Sequence, residues 1–71
     1  MMLWQFPCKA ELSGSTHQRI ALVIAESRAE AEAILNECAT VVEAERGLSM
    51  PLEDAKRIFG YLPPAGKVHF I

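Results

Sequence analysis

The segment that most constrains the fold is a short apolar run that leads directly into a helix start signal. Residues 20–25 form the longest uninterrupted apolar run in the chain, and a run of this length is typical of a buried strand. Ser27 and Glu30 follow with the spacing of a capping box, in which the hydroxyl and the carboxylate each accept a backbone amide hydrogen bond. The sequence therefore predicts a strand over residues 19–25 that runs into a capped helix.

The pattern after Ser27 predicts one long amphipathic helix. Apolar side chains recur at intervals of three and four residues, which places them on one face. Arg46 suits the negative end of the helix dipole and Gly47 is a common residue just beyond a helix, so we expect the helix to end at residue 46. The expected buried stripe consists of Ala31, Ile34, Leu35, Cys38, Val41 and Val42, and the exposed carboxylates are Glu30, Glu32, Glu37 and Glu43.

The first segment predicts a strand that pairs with the buried one. From residue 2 to residue 12 apolar and polar side chains alternate with a period of two, which indicates a half-buried strand. Pro7 lacks an amide donor, so we expect this strand at an edge of the sheet or bulged at that residue. Turn residues occupy positions 13–16 between the two strands, which predicts an antiparallel hairpin.

Two registers of this hairpin differ in which side chains share a face. If Leu12 faces Gln18, the large apolar side chains of both strands lie together and Glu11 faces Arg19, an opposite-charge pair. If Leu12 faces His17, those apolar side chains lie on opposite faces. We therefore expect the first register, with an odd-numbered connection or a bulge in place of a two-residue turn. It aligns Ala10 with Ile20, Cys8 with Leu22 and Phe6 with Ile24.

The remaining sequence predicts a short helix and a final strand. Pro51 suits a first helical turn and Gly60 ends the apolar pattern, so we expect a helix over residues 50–59. Residues 61–66 form a stiff extended loop in this interpretation, because they contain two prolines and a glycine. Residues 67–71 are the expected last strand.

These elements predict a single α+β domain over residues 1–71, with the order β-β-α-α-β and a three-stranded sheet. The long helix covers one sheet face, and the other face, which includes Leu3, Ala21 and Val23, stays uncovered. Two strand orders are open at this point. If the last strand joins the second one through a right-handed crossover, Pro7 lies on an edge. If it joins the first strand, the sheet is wholly antiparallel; we favour the crossover.

Length and composition restrict the classes of function. The chain of 71 residues has nine acidic and seven basic residues and a net charge of −2, so it offers no basic field that would gather phosphates. The longest apolar run is far shorter than the roughly 20 residues of a membrane span, and the N-terminus lacks the basic start of a signal peptide. We therefore expect a cytoplasmic protein without membrane contact, whose two cysteines are reduced.

No arrangement of reactive residues in the sequence points to an enzyme. Cys8 and Cys38 fall at expected apolar positions, where cysteine acts as a small hydrophobic residue. His17 and His69 have no neighbour at the spacing of a zinc site, and the chain has no Gly-rich phosphate loop or nucleophile elbow. A metal site or a nucleophilic pair assembled from Cys8, Cys38 and His69 is the less favoured alternative. We therefore expect no catalytic residue, no metal site and no cofactor.

The leading hypothesis is a non-enzymatic protein-binding module, a small regulator or accessory subunit. An acidic helix face suits a basic protein partner. Trp4 is interpreted either as a core anchor, which we favour, or as an exposed anchor for a partner. The uncovered sheet face also predicts a homodimer. The expected partner-binding residues are Trp4, Glu30, Glu32, Glu37 and Glu43.

The alternative hypothesis is a nucleic-acid-binding accessory protein. Basic residues occur near the second helix and the last strand, with Tyr61 between them as a stacking ring. This set falls short of a basic stripe with several aromatic rings, so nucleic acid is the less favoured partner. The residues involved would be Arg19, Lys56, Arg57 and Lys67.

Overall fold

A sheet with a helix on each face forms the whole molecule. The computed structural model describes all residues 1–71 and shows, in chain order, β1 (Met2–Leu12), β2 (Ser15–Ala25), α1 (Arg28–Glu37), β3 (Val41–Ala44), β4 (Leu48–Pro51), α2 (Leu52–Phe59) and β5 (His69–Phe70). Every strand pair is antiparallel, and the sheet order is β3-β1-β2-β5, with β4 also beside β1. The predicted α+β class is confirmed, whereas the sheet has five strands in place of the predicted three.

The hairpin between β1 and β2 closes with a two-residue turn. Leu12 faces Ser15, so only Ser13 and Gly14 connect the strands. Both have positive φ, 52° and 79°, the combination that matches the twist of paired strands in a two-residue hairpin. The expected odd-numbered connection was therefore wrong, and Glu11 faces Thr16 instead of an arginine.

The observed register divides the apolar residues of the hairpin between the two faces of the sheet. Side chains alternate across a strand, so the two-residue turn places the two sets that were expected together on opposite faces. Helix α1 covers one set and α2 covers the other. The expectation of one uncovered face was wrong for this reason. The α1 side contains Trp4, Phe6, Cys8, Ala21 and Val23, and the α2 side contains Leu3, Leu22, Ile24 and Ala55.

The predicted start of the first helix is confirmed. Ser27 is the N-cap, and its hydroxyl accepts a hydrogen bond from the Glu30 amide at 3.2 Å. The Glu30 carboxylate reaches back to the Glu26 amide at 3.4 Å. The cap satisfies an amide that has no partner within the helix, which fixes where α1 begins.

The predicted long helix ends at Glu37, and the chain then enters β3. Cys38 closes the helix in an extended conformation, with φ −83° and ψ 107°. The β-branched residues Val41 and Val42 favour a strand, and a few apolar residues at helical spacing do not exclude one. Gly47 therefore does not stop a helix and lies instead between β3 and β4.

Strand β1 lies inside the sheet, so the expectation that Pro7 marks an edge strand was wrong. The alternative, a bulge at Pro7, does not form either, because the register of β1 shifts between Lys9 and Ala10. Pro7 faces Ile20, which exchanges both of its backbone hydrogen bonds with Ile71. The backbone of Pro7 therefore turns away from β2, toward the gap between β3 and β4, where its carbonyl accepts from the Glu45 amide at 2.8 Å. The amide N–H that proline lacks would therefore point to the break between β3 and β4, where no strand needs it.

The last elements are shorter than predicted. Helix α2 begins at Leu52, because residues 48–51 pair with β1 as β4. The final strand is regular only at His69 and Phe70. It lies beside β2, as expected, but runs antiparallel to it, so the predicted right-handed crossover does not form. Neither helix combines the length and the apolar character that crossing a membrane would require.

Candidate protein interface

Trp4 anchors α1 to the sheet. Its indole Nε1 donates to the Ala25 carbonyl at 3.3 Å, and the Arg28 guanidinium lies 5.0 Å from the ring centroid. Arg28 also donates to the Gly47 carbonyl at 2.6 Å. Because Trp4 is 8% exposed, the structure agrees with its interpretation as a core anchor and leaves little of the ring for a partner.

The four glutamates of the expected acidic strip do not lie together. A helix turns by about 100° per residue, so Glu30 and Glu32 point to different sides of α1, and Glu37 shares the side of Glu30. Glu43 is on β3 and not on the helix, because the helix ends early. Its carboxylate lies 3.7 Å from Lys9 Nζ, on the side of the sheet that α2 packs against. The single acidic helix face predicted from the sequence is therefore wrong.

The four basic residues of the alternative hypothesis are also separated, and Lys67 is exposed in the loop before β5. Arg19 faces Cys8 on the α1 side of the sheet, whereas Lys56 and Arg57 are on α2, which covers the opposite side. Arg57 pairs with Asp54 at 2.9 Å within its own helix. The structure therefore does not join these residues into one basic surface.

Cys8 lies on the α1 side of the sheet and interacts with Cys38, whereas His69 faces Leu22 on the opposite side. Cys8 is 3% exposed; burial raises the pKa of its thiol, with a smaller rise from Cys38 and an opposing hydrogen bond from Ala21. A hydrogen bond of 2.6 Å joins the Tyr61 hydroxyl and His69 Nε2 near the surface. The structure holds no group of three or more His, Cys, Asp or Glu side chains that could bind a metal ion.

An uncovered apolar row lies on the α2 side of the sheet, beyond the end of α2. Pro7, Ile20 and Ile71 are neighbours across β1, β2 and the end of β5, and we call them the open sheet face. Pro7 is exposed, Ile20 is 37% exposed and Ile71 is 44% exposed. Pro7 and Ile20 are on the two central strands and Ile71 follows the edge strand β5, and no helix lies above these residues.

Polar and apolar residues surround the open sheet face. Toward the hairpin turn lie the Lys9–Glu43 ion pair and Gln18. On the other side is Leu48, which is 71% exposed. A shallow, open groove of about 320 Å³ lies along the row and is lined by Pro7, Gln18, Arg19, Ile20 and Ile71.

The sequence contained one signal for this surface. The helix expected over residues 50–59 would span about 15 Å, whereas the strand expected over residues 19–25 would span about 23 Å. In the structure the difference is larger, because the helix has 8 residues and β2 has 11. A helix of that length cannot cover such a strand, and residues at the far end stay exposed. The signal was missed because Ile20 was assigned to the face beneath the long helix.

Comparisons with protein-family models, with curated proteins and with solved structures find no match for this chain. The function is therefore inferred from the geometry of the open sheet face and from the charges around it. Apolar residues at the centre and charged residues at the border are the arrangement found in the interfaces of proteins that associate.

Proposed function

We propose that this protein is a non-enzymatic protein-binding module, a small regulator or accessory subunit, that binds its partner through the open sheet face. The observation that supports this proposal is the row of Pro7, Ile20 and Ile71, three adjacent apolar residues that neither helix covers. Contiguous exposed apolar residues with a polar border are characteristic of interaction sites.

The surroundings of the row favour a protein partner. A standard interface buries about 800 Å² on each protein, which is roughly a sixth of the 4488 Å² of accessible surface here. The open sheet face supplies an apolar centre for such an interface. Leu48 extends the apolar part, and Lys9 with Glu43 supplies a charged border.

Site-specific crosslinking tests this proposal. A photoreactive benzoylphenylalanine replaces Ile20 in one variant and Ala33, exposed on α1, in a matched control. We expect a discrete crosslinked protein from the Ile20 variant in an extract of the source cells and none from the Ala33 variant. A crosslink to a second copy of the chain would show that the partner is this chain itself and that the assembly is a homodimer.

Purified components complete the test. The protein identified from the crosslink should bind the wild-type chain and lose binding to an Ile20→Lys variant, because a charge would be placed at the apolar centre. Circular dichroism should show that this variant keeps its fold. Identical products from both photoreactive variants, or full binding by Ile20→Lys, would contradict the proposal.

A further inference from the structure

The outer edge of β2 is open along half of its length. Strand β5 pairs with Ala21 and Leu22, and Ile71 continues this pairing at Ile20. Within residues 1–71 no strand lies beside residues 15–19 on that side. This part of the edge adjoins the groove over the open sheet face.

The backbone groups at this edge define the chemistry of what can bind there. Ile20 directs its N–H and C=O outward to Ile71, and alternate residues of an antiparallel strand direct these groups the same way. The backbone groups of Thr16 and Gln18 therefore also point outward. The structure gives one of them a partner: the Gln18 carbonyl accepts from the Arg19 guanidinium at 3.0 Å.

We propose that the partner adds an extended strand to β2 along Thr16 and Gln18; this rests on the proposed function and names the form of the partner. An unpaired strand edge is complementary to another extended backbone, and specificity comes from the alternate side chains of the added strand. An apolar side chain of that strand would enter the groove beside Ile20 and Ile71.

Arg19 indicates the charge of the added strand. Its guanidinium forms no ion pair within the chain and is occupied only by the Gln18 carbonyl. An amide of the added strand would replace it at that carbonyl, which frees the guanidinium for a carboxylate. The strand that fits best is therefore extended and apolar on one face, with an acidic residue near Arg19.

A second copy of β2 fits this edge poorly. Two-fold pairing of Thr16 with Gln18 of the other copy would bring that copy's Ser15 beside Arg19. Its hairpin turn would then occupy the position next to Ile20, where Ile71 already lies. The geometry therefore favours a strand from a different protein over self-pairing at this edge.

A designed peptide tests strand addition without a known partner. The probe is a short end-blocked peptide of alternating valine and threonine with one central glutamate, added to the ¹⁵N-labelled chain. We expect hydrogen exchange of the Thr16 and Gln18 amides to slow by about tenfold or more at saturation, because these amides become paired. The same peptide, N-methylated at alternate amides, keeps its side chains and should give no slowing.

Charge is tested with the same probe. Arg19→Gln should weaken binding of the glutamate peptide by about twofold to fivefold, the range for an exposed ion pair. It should not weaken a control peptide with lysine at the central position. If Arg19→Gln weakens binding of both peptides equally, Arg19 does not recognise the negative charge of the added strand.

Three results would overturn strand addition. The first is that hydrogen exchange of the Thr16 and Gln18 amides does not change when the peptide is added. The second is that the N-methylated peptide slows this exchange equally. The third is that exchange slows with rising protein concentration in the absence of peptide, which would show self-pairing. If the Ile20 crosslink still captures a partner in any of these cases, binding through the open sheet face stands and only the edge pairing fails.

Discussion

At the residue scale, Gly47 lets the loop between β3 and β4 pack closely against the core, because it has no side chain. A Cβ at this position would lie 2.5 Å from two ring carbons of Phe6 and 2.8 Å from the Gln5 carbonyl oxygen. The Phe6 side chain is only 1% exposed, so its ring is enclosed by other atoms. The Gly47 carbonyl also accepts from Arg28, whose guanidinium lies over Trp4. Gly47 therefore connects the loop between β3 and β4 both to the core, through Phe6, and to helix α1, through Arg28.

A Gly47→Ala substitution should destabilise the protein. We expect the free energy of unfolding to fall by about 1–3 kcal/mol, because an added methyl group must displace the Phe6 ring or the backbone. Urea unfolding followed by circular dichroism measures the change. Ser49→Ala, at an exposed position of β4, is the control and should stay within about 0.5 kcal/mol of the wild type. Equal stabilities of the two variants would show that the contact relaxes freely.

Cys8 should make stability fall at alkaline pH. Burial raises the pKa of its thiol in the folded chain, so the unfolded chain loses this proton at a lower pH. The contribution to stability is then complete below the usual thiol pKa of about 8.5 and is lost as pH rises toward the raised value. We expect urea titrations to show a larger drop above about pH 8.5 for the wild type than for Cys8→Ala. Parallel pH profiles of the two proteins would contradict this expectation.

At the element scale, local signals predicted where elements begin better than where they end. The Ser27–Glu30 cap and the alternation of β1 depend on neighbouring residues, and the structure confirms both. The end of α1 depends on competition between a longer helix and an added strand beside β1. Cys38 and Val41 fit the spacing of a helix and the composition of a strand, so the sequence pattern alone did not decide between them.

The turn of the β1–β2 hairpin offers a stabilising substitution. Ser13 has φ 52°, a left-handed conformation that asparagine adopts more readily than serine. Ser13→Asn should therefore raise the free energy of unfolding by about 0.5–1 kcal/mol, which corresponds to the several-fold enrichment of asparagine at positive φ. Thermal or urea unfolding measures the change. Ser15→Asn, at the first residue of β2, is the control and should give no gain, because asparagine is disfavoured in strands. A gain of equal size in both variants would mean that turn conformation is not the cause.

At the scale of the whole molecule, the candidate surface follows from how two unequal helices share one sheet. The sequence predicted one helix long enough to cover a face and left the other face bare. In the structure both helices are short, and each covers part of a face. The open sheet face is what α2 does not reach. Its position could not be predicted from the sequence, because it depends on the register of the hairpin and on the course of the chain after Cys38.

The proline in the middle of β1 has a consequence for assembly. Pro7 lies at the break between β3 and β4, so the outer edge on that side consists of two strands of 4 residues each. Short, interrupted edges are poor templates for a further strand. Strand addition at β2 would thus extend the sheet in one direction only. The protein would form the last strands of a combined sheet, and no further strand would add beyond it. Its complexes would therefore stay finite, whereas a chain with two open edges would polymerise.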